Sequence, residues 1–385
     1  MRTQSTPYYN KGRTTRQSHL QLPEGCVEEE HGRDGFFGPV SQLYRTQAPT
    51  GWTRIEGPLK PRAFDCNRLG VSDFDAVTGR TSILFNNDVT VFVSQPNTPT
   101  MDYFFRNADG DEVIFVHRGE GCIETDYGPL TFRQGDYLVI PRGTLYRVVA
   151  EHPPFLMIFE TAGRIQQPDR GMLGIHALYD QTALDTPEPE PSSFQGITGP
   201  NGITEWEVRI KRQGQITSVW YPFNPLNVVG WKGDLTPFQL NIMDICPVIS
   251  HKAHLPPSVH TTFLAQNLVI CSFVPRPLES EPGALKVPFY HSNIDFDEVL
   301  FYHDGDFFSR DGIDAGMITF HPQGIHHGPH PEAYKASWDP KKDWTNEVAV
   351  MLDTRYPLTM TQAAHSTEWP EYYMSWQPKE ASATV

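Results

Sequence analysis

Nine of the fifteen histidines in this chain fall between His251 and His330, and that clustering marks where chemistry is to be sought. Within it stand His291, Glu298 and an adjacent pair, His326 and His327. Two imidazoles and one carboxylate on one face of an octahedral ion suit iron(II) or manganese. They leave up to about three positions open, enough for a bidentate substrate and dioxygen. A thiolate set would point to zinc or copper, but the five cysteines (Cys26, Cys66, Cys122, Cys246 and Cys271) are widely spaced and form no CxxC pair. They read as buried thiols in a reducing compartment. Successive strand residues face opposite ways, so only one of His326 and His327 can reach an ion. His303 reads as a satisfied polar or surface residue.

The elements that must hold such a set read as strands. Residues 89–96, 112–150 and 154–160 are short β-branched and aromatic runs separated by Gly and Asp, without a persistent 3.6-residue apolar period. Strand-like segments resume at 204–222, 244–250, 261–275, 297–309, 316–328 and 346–356. Between the two groups, residues 180–196 are rich in Pro, Glu and Ser and read as an exposed linker. Few good helices stand out, and 34 Pro with 30 Gly fit a chain of many turns. The expectation is an all-β protein in two units, residues 1–196 and 197–385, with a frayed C-terminal tail.

The two units repeat each other. Glu112 is followed after six residues by Gly119, and Gly135, Pro141, Gly143 and Tyr146 then follow at fixed spacing. Glu298, Gly305, Gly316, Pro322, Gly324 and His327 reproduce that spacing. The pattern resembles the two motifs of the cupin superfamily, small jelly-roll-type double-stranded β-barrels whose first motif is His-x-His, a short gap, Glu, six residues and Gly. The resemblance selects His327 over His326 and implies a metal on His291, Glu298 and His327, with Asn293 at the place of the second histidine. The N-terminal copy has Phe105 and Asn107 at the first two positions and Tyr146 at the last. It is therefore read as a degenerate, structural barrel, which leaves one metal per chain.

Four stretches sharpen the resemblance to the homogentisate 1,2-dioxygenase family: "VVGWKGDLTPFQLNI" at 228–242, "HLPPS" at 254–258, "VPFYHSN" at 287–293 followed by "DEV", and "HPQGIHHGPHPEAYKAS" at 321–337. The likeness is strongest in the C-terminal half. The family pattern departs at Trp231-Lys232-Gly233, where Trp-His-Gly is common. By this resemblance His291, Glu298 and His327 are Fe(II) ligands. His254 acts on the substrate hydroxyl, His321 is a further pocket histidine, and Tyr290 borders the pocket. His251 and His260 are the alternatives to His254. The implied activity is cleavage of the ring of a para-dihydroxylated aromatic acid by dioxygen, homogentisate first, with gentisate and hydroquinones as alternatives. A different cupin enzyme, such as an isomerase or a thiol dioxygenase, and a metal-free structural or storage bicupin are the competing readings.

Charge narrows the partners. A formal net charge of −15 is unsuited to a phosphate backbone, so nucleic acid is not expected. It also disfavours sugar-phosphate isomerase chemistry, which needs a basic cradle. No apolar run is long enough to span a bilayer, and residues 1–21 are polar and lack the apolar core of a signal peptide. The expected setting is the cytoplasm, and the expected form a homo-oligomer acting on a small aromatic diol and O2.

Overall fold

A computed structural model of the chain describes residues 9–72, 74–338 and 342–377. The expected C-terminal fraying falls largely outside the described residues. The protein is almost wholly β, with only two short α-helices among the described residues, Pro331–Ala336 and Gln362–Thr367. No helix there is long and apolar enough to cross a membrane.

Three large sheets carry the fold. The first runs Phe238–Asn241, Asp136–Ile140, Asp111–Arg118, Phe155–Thr161, Val89–Ser94, Thr81–Phe85 and Thr359–Met360. The second contains Ile197–Thr198, Thr204–Arg212, Phe104–Asn107, Leu145–Val149, Gly121–Thr125 and Gly128–Phe132, with Gln215–Tyr221 hydrogen-bonded to Thr204–Arg212. Together these form the N-terminal cupin unit. The third sheet, Thr261–Ala265, Leu268–Phe273, Val348–Thr354, Asp297–Asp304, Met317–His321 and Arg62–Asp65, belongs to the C-terminal unit.

Side-chain alternation along the central strands separates the three largest cores. In Asp111–Arg118, Ile114 and Val116 pack inside the N-terminal unit with Phe105, Leu138 and Tyr146. Val113 and Phe115 face the other way and meet Phe263, Ile270, Val299, Phe301 and Leu352 of the C-terminal unit. In Asp297–Asp304, Leu300 and Tyr302 point inward onto Val269, Met351 and Trp376. A one-residue slip would exchange every one of these faces, so burial on both sides pins the register. It also explains why residues 111–117 are buried without a break. His303 follows the same parity. It lies in the shared core, buried, with its Nδ1 2.9 Å from His117 Nδ1, the satisfied polar residue that its sequence context suggests.

The two units exchange segments. Arg62–Asp65 completes the C-terminal sheet beside Met317–His321, and Thr359–Met360 completes the N-terminal sheet beside Thr81–Phe85. Thr204–Arg212 and Phe238–Asn241 also pair into the first unit. Val27–Gly32 runs parallel to Tyr290–Asn293 and brings an N-terminal strap against the C-terminal unit. Two sequence expectations need correction. Residues 244–250 form no strand beyond a single bridge at Cys246, since Pro247 has no N–H to donate to a ladder. Of the five cysteines only Cys66 and Cys271 are buried. The Pro-rich stretch 180–196 is largely exposed, as expected.

Candidate active site

Two backbone features assemble the site. His291 and His327 face each other across an isolated antiparallel bridge, each amide N–H donating to the other's carbonyl at 2.9 and 3.0 Å. Glu298, second residue of Asp297–Asp304, enters from the adjoining sheet, where its inward parity places it inside the C-terminal unit. The three side chains converge, with Glu298 Oε2 3.6 Å from His291 Nε2 and 3.5 Å from His327 Nε2. All three residues are buried.

The donor set fits a divalent metal. His291 Nδ1 donates to the Phe289 carbonyl at 2.9 Å, which leaves Nε2 as a bare lone pair directed at the other two residues. His291 Nε2 and both ring nitrogens of His327 are buried without a hydrogen-bond partner. A neutral imidazole has one bare lone pair, and such an orphaned acceptor is costly unless something satisfies it, as a cation beside the two Nε2 atoms would. Burial, reinforced by the neighbouring His291, pushes His327 down to about 3 against the pull of Glu298. Burial alone would raise the Glu298 carboxyl, but the adjacent His327 and His291 rings and the hydrogen bond from His321 outweigh it and hold the carboxyl well below its usual range. A neutral His327 imidazole beside a carboxylate anion is the pairing of protonation states that metal ligation requires.

His321 lies behind this set. It sits opposite Glu298 in the ladder, and its Nδ1 donates to Glu298 Oε1 at 2.6 Å, turning Oε2 toward the histidines. Its ring stacks on His327 at 4.7 Å, and Tyr372 Oη lies 3.3 Å from its Nε2. Fully buried, and lowered by that burial to about 4, it supports a ligand and does not line the pocket. His326, as its parity requires, turns away to Glu29 Oε1 at 2.8 Å.

Beside the trio opens a cavity that His291 and Glu298 themselves line. Phe273, Phe289, Leu300 and Met351 give it apolar walls. His254 lines it, with Nδ1 2.7 Å from Glu279 Oε1. A carboxylate only accepts, so Nδ1 carries the proton and Nε2 remains a proton acceptor. His260 also lines the cavity, but burial, then the nearby Arg276 charge, drops it to about 3. His251 is exposed and does not line it. Tyr290 is not brought in. Its parity is opposite to that of His291, and its ring packs on Tyr334 at 5.3 Å and against Gly328. A Cβ at Gly328 would come within 2.8 Å of the Tyr290 ring, so that position requires glycine.

Sequence reasoning missed three features of this region. Arg276, Arg310 and Glu347 lie outside the cupin motifs, yet all three line the cavity. The strap was unreadable too, although His19 stacks on Phe289 at 4.3 Å and Phe36 meets His291 edge-on at 5.3 Å. The third feature is in the N-terminal copy. There the Arg80 guanidinium bonds Glu112 and, at 2.8 Å, the hydroxyl of Tyr146, which itself donates to Glu112 at 2.7 Å. A fixed side-chain cation thus satisfies the carboxylate that a metal would otherwise neutralise.

The N-terminal model of homogentisate 1,2-dioxygenase matches residues 52–242, and its C-terminal model matches residues 248–383. The chain belongs to the homogentisate 1,2-dioxygenase family. This family member is 32% identical, over 96% of its length and 98% of the other's, to a Saccharolobus solfataricus protein named as a putative dioxygenase. It is 25% identical to homogentisate 1,2-dioxygenase of Legionella pneumophila, over 79% of this chain and 74% of that one. Against the Mus musculus enzyme of the same name the figures are 26%, 84% and 75%. Among solved structures, a cupin 2 conserved barrel protein from Leptotrichia buccalis superposes with a TM-score of 0.33 at 13% identity, covering 76% of this chain and 96% of that one.

Proposed function

We propose that this dioxygenase-family chain binds one Fe(II) through His291, Glu298 and His327 and cleaves the ring of a para-dihydroxylated aromatic acid, homogentisate first. The observation that carries the reading is the buried trio whose partnerless imidazole nitrogens converge on one carboxylate oxygen, beside an apolar cavity that also holds an acid–base histidine. Bound there, iron supplies a Lewis acid for a ring hydroxyl and an open position for dioxygen.

The protein's own groups do the rest. His254 takes the hydroxyl proton at Nε2, and Glu279 stabilises the resulting imidazolium through Nδ1. Phe289 and Leu300 present flat and branched apolar surface to the ring and exclude water from it. His321 keeps the Glu298 carboxylate in one orientation while the opposite oxygen serves the metal. The metal-free structural alternative leaves three buried ring nitrogens without a partner, which speaks against it.

The test is oxygen uptake by the iron-loaded protein with homogentisate, gentisate, hydroquinone and catechol, followed by product mass with labelled dioxygen. Uptake with homogentisate and incorporation of both oxygen atoms into an open-chain acid are expected. Turnover of catechol with all para-diols inert would overturn the assignment.

A further inference from the structure

The two histidines of the trio are not held alike. His291 donates from Nδ1 to the Phe289 carbonyl at 2.9 Å, so a hydrogen bond of its own fixes its ring. Neither ring nitrogen of His327 has such a partner. Its ring meets other rings, stacked on His321 at 4.7 Å and edge-on to His291 at 4.0 Å. A histidine ligand is usually oriented by the group to which its second nitrogen donates. Without that bond, the direction of the His327 ring depends on the backbone that carries it.

That backbone is held by the strap, which precedes the region matched by either family model. Among the described residues, Val27–Gly32 is the one sheet neighbour of Tyr290–Asn293, the strand that carries His291. In their register Glu30 lies opposite His291 and Glu29 opposite Tyr290. Glu29 therefore stands on the face turned away from the trio. His327 bridges His291, so the preceding His326 alternates onto the same outer face as Glu29. There the two side chains meet. His326 Nε2 donates to Glu29 Oε1 at 2.8 Å, and Arg45, on the neighbouring strap strand Val40–Arg45, donates to Oε2. Glu29 is 1% exposed, and with a bond on each oxygen its carboxylate is confined to one place.

We infer that Glu29 is a positioning residue of the metal site, fixing through His326 the backbone that presents His327. The role presupposes the metal of the functional reading above. Glu29 touches neither ion nor substrate. It sets where His327 Nε2 lies relative to His291 Nε2 and Glu298 Oε2. Metal–ligand distances tolerate deviations of only about 0.2 Å, so a small shift of this one segment weakens the whole set. The strap is on this account a part of the centre that it backs.

Fe(II) affinity, titrated against a chelator, and the d–d absorption of bound Co(II), which reports ligand geometry, provide the test. Glu29→Ala and His326→Ala should each weaken Fe(II) binding by about 10-fold, the lower end of the usual cost of losing an outer partner of a ligand. Both should change the Co(II) spectrum in the same way. Because the two residues act through one bond, the double variant should lose no more than either single one. Glu29→Gln keeps an acceptor for His326 and should restore the parent's affinity and spectrum. Arg45→Met breaks only the other contact of Glu29. It should lower stability and leave both readouts as in the parent, which separates positioning from support of the strap. His326 is half-buried, so His326→Ala decides the matter if Glu29→Ala does not fold. Parent-like affinity and spectrum in folded His326→Ala overturn the inference and leave the metal reading standing, as does a loss in Arg45→Met equal to that in Glu29→Ala. A parent protein that takes up neither ion overturns the metal reading, and this role with it.

Discussion

At the scale of single residues, the proposed site separates groups that would hold a metal from groups that hold those groups. Replacing His291, Glu298 or His327 should abolish the roughly one iron per chain that elemental analysis of the parent is expected to show, since a two-ligand remnant binds a divalent ion poorly. His321→Ala removes no ligand, yet it frees Glu298 Oε1 and lets the carboxylate rotate. A fall in iron affinity of about 10- to 100-fold is expected by metal titration, the usual cost of losing such an orienting partner, and His321→Asn, which keeps a donor, should lose less. His254→Ala should keep its iron and lose turnover by roughly 10²–10⁴-fold. Loss of iron in that variant would recast His254 as a ligand or a structural support, and near-normal turnover would remove it from the mechanism. The convergence of Glu298 and His327 was legible in the sequence because turns of fixed length between hairpin strands impose fixed spacing on Glu298, Gly305, Gly316 and His327. Arg310 and Arg276 were not legible, because Arg310 lies in the loop after Asp297–Asp304 and Arg276 in the short strand Arg276–Pro277, and no spacing rule points from either to the trio.

At the scale of elements, the duplication read from Glu112 and Glu298 is real in three dimensions: both lie near the start of an inward-facing strand with one neighbouring face in the shared core. The two copies diverge in what answers the carboxylate. Arg80 lies 32 residues before Glu112, outside the repeated motif, which is why the sequence showed a missing metal site but not its replacement. Burial lowers and Glu112 raises the affinity of Arg80 for its proton, and the net effect is upward, so the guanidinium stays charged. Arg80→Met would strand the fully buried Glu112 and should cost about 3–5 kcal/mol of stability in denaturant unfolding, with iron content unchanged. Iron loss at equal occupancy of the folded state would show that the two copies are coupled more closely than their separate interiors imply. Strand pairing also bears on where the units divide. Thr204–Arg212 and Phe238–Asn241 join the first unit's sheets, and the family's two models part between residues 242 and 248. We propose the division there, with the Pro-rich stretch 180–196 as a surface crossing inside the first unit. Composition marked that stretch as exposed, but only non-local pairing shows which side of a boundary it occupies.

For the whole molecule, the shared core between the two units contains a buried imidazole pair, His117 and His303, whose Nδ1–Nδ1 contact needs one donor and one acceptor and so cannot survive double protonation. Burial, then the neighbouring His303 and Arg118, lowers His117 to about 3, and burial lowers His303 to about 4. Facing groups on both sides of the pair are aromatic, with Phe115, Phe155 and Phe301 around the rings. An unfolded histidine titrates near about 6.5, so between that value and the native ones the unfolded chain binds more protons than the folded one. The pair's stabilisation is therefore fully present above about pH 6.5 and is lost progressively as pH falls below it. Urea unfolding at several pH values between 7.5 and 5 should show this decline, and replacing both residues (His117→Leu with His303→Leu) should make it shallower. An unaltered slope would place the acid sensitivity in other buried histidines.

The exchanged edge strands bear on how the protein is made. During synthesis the N-terminal sheet leaves the ribosome with the Thr81–Phe85 edge bare, and the strand that closes it, Thr359–Met360, is translated only after every strand of the C-terminal sheet. Arg62–Asp65 meanwhile emerges early and waits for Met317–His321, its neighbour in the sheet. Neither half can be finished by translating that half alone. For most of its time on the ribosome the nascent chain displays open hydrogen-bonding edges, the surfaces on which β-proteins associate with one another. Yield in a heterologous host should therefore depend more on the speed of translation and on holdase chaperones than on the stability of the completed fold.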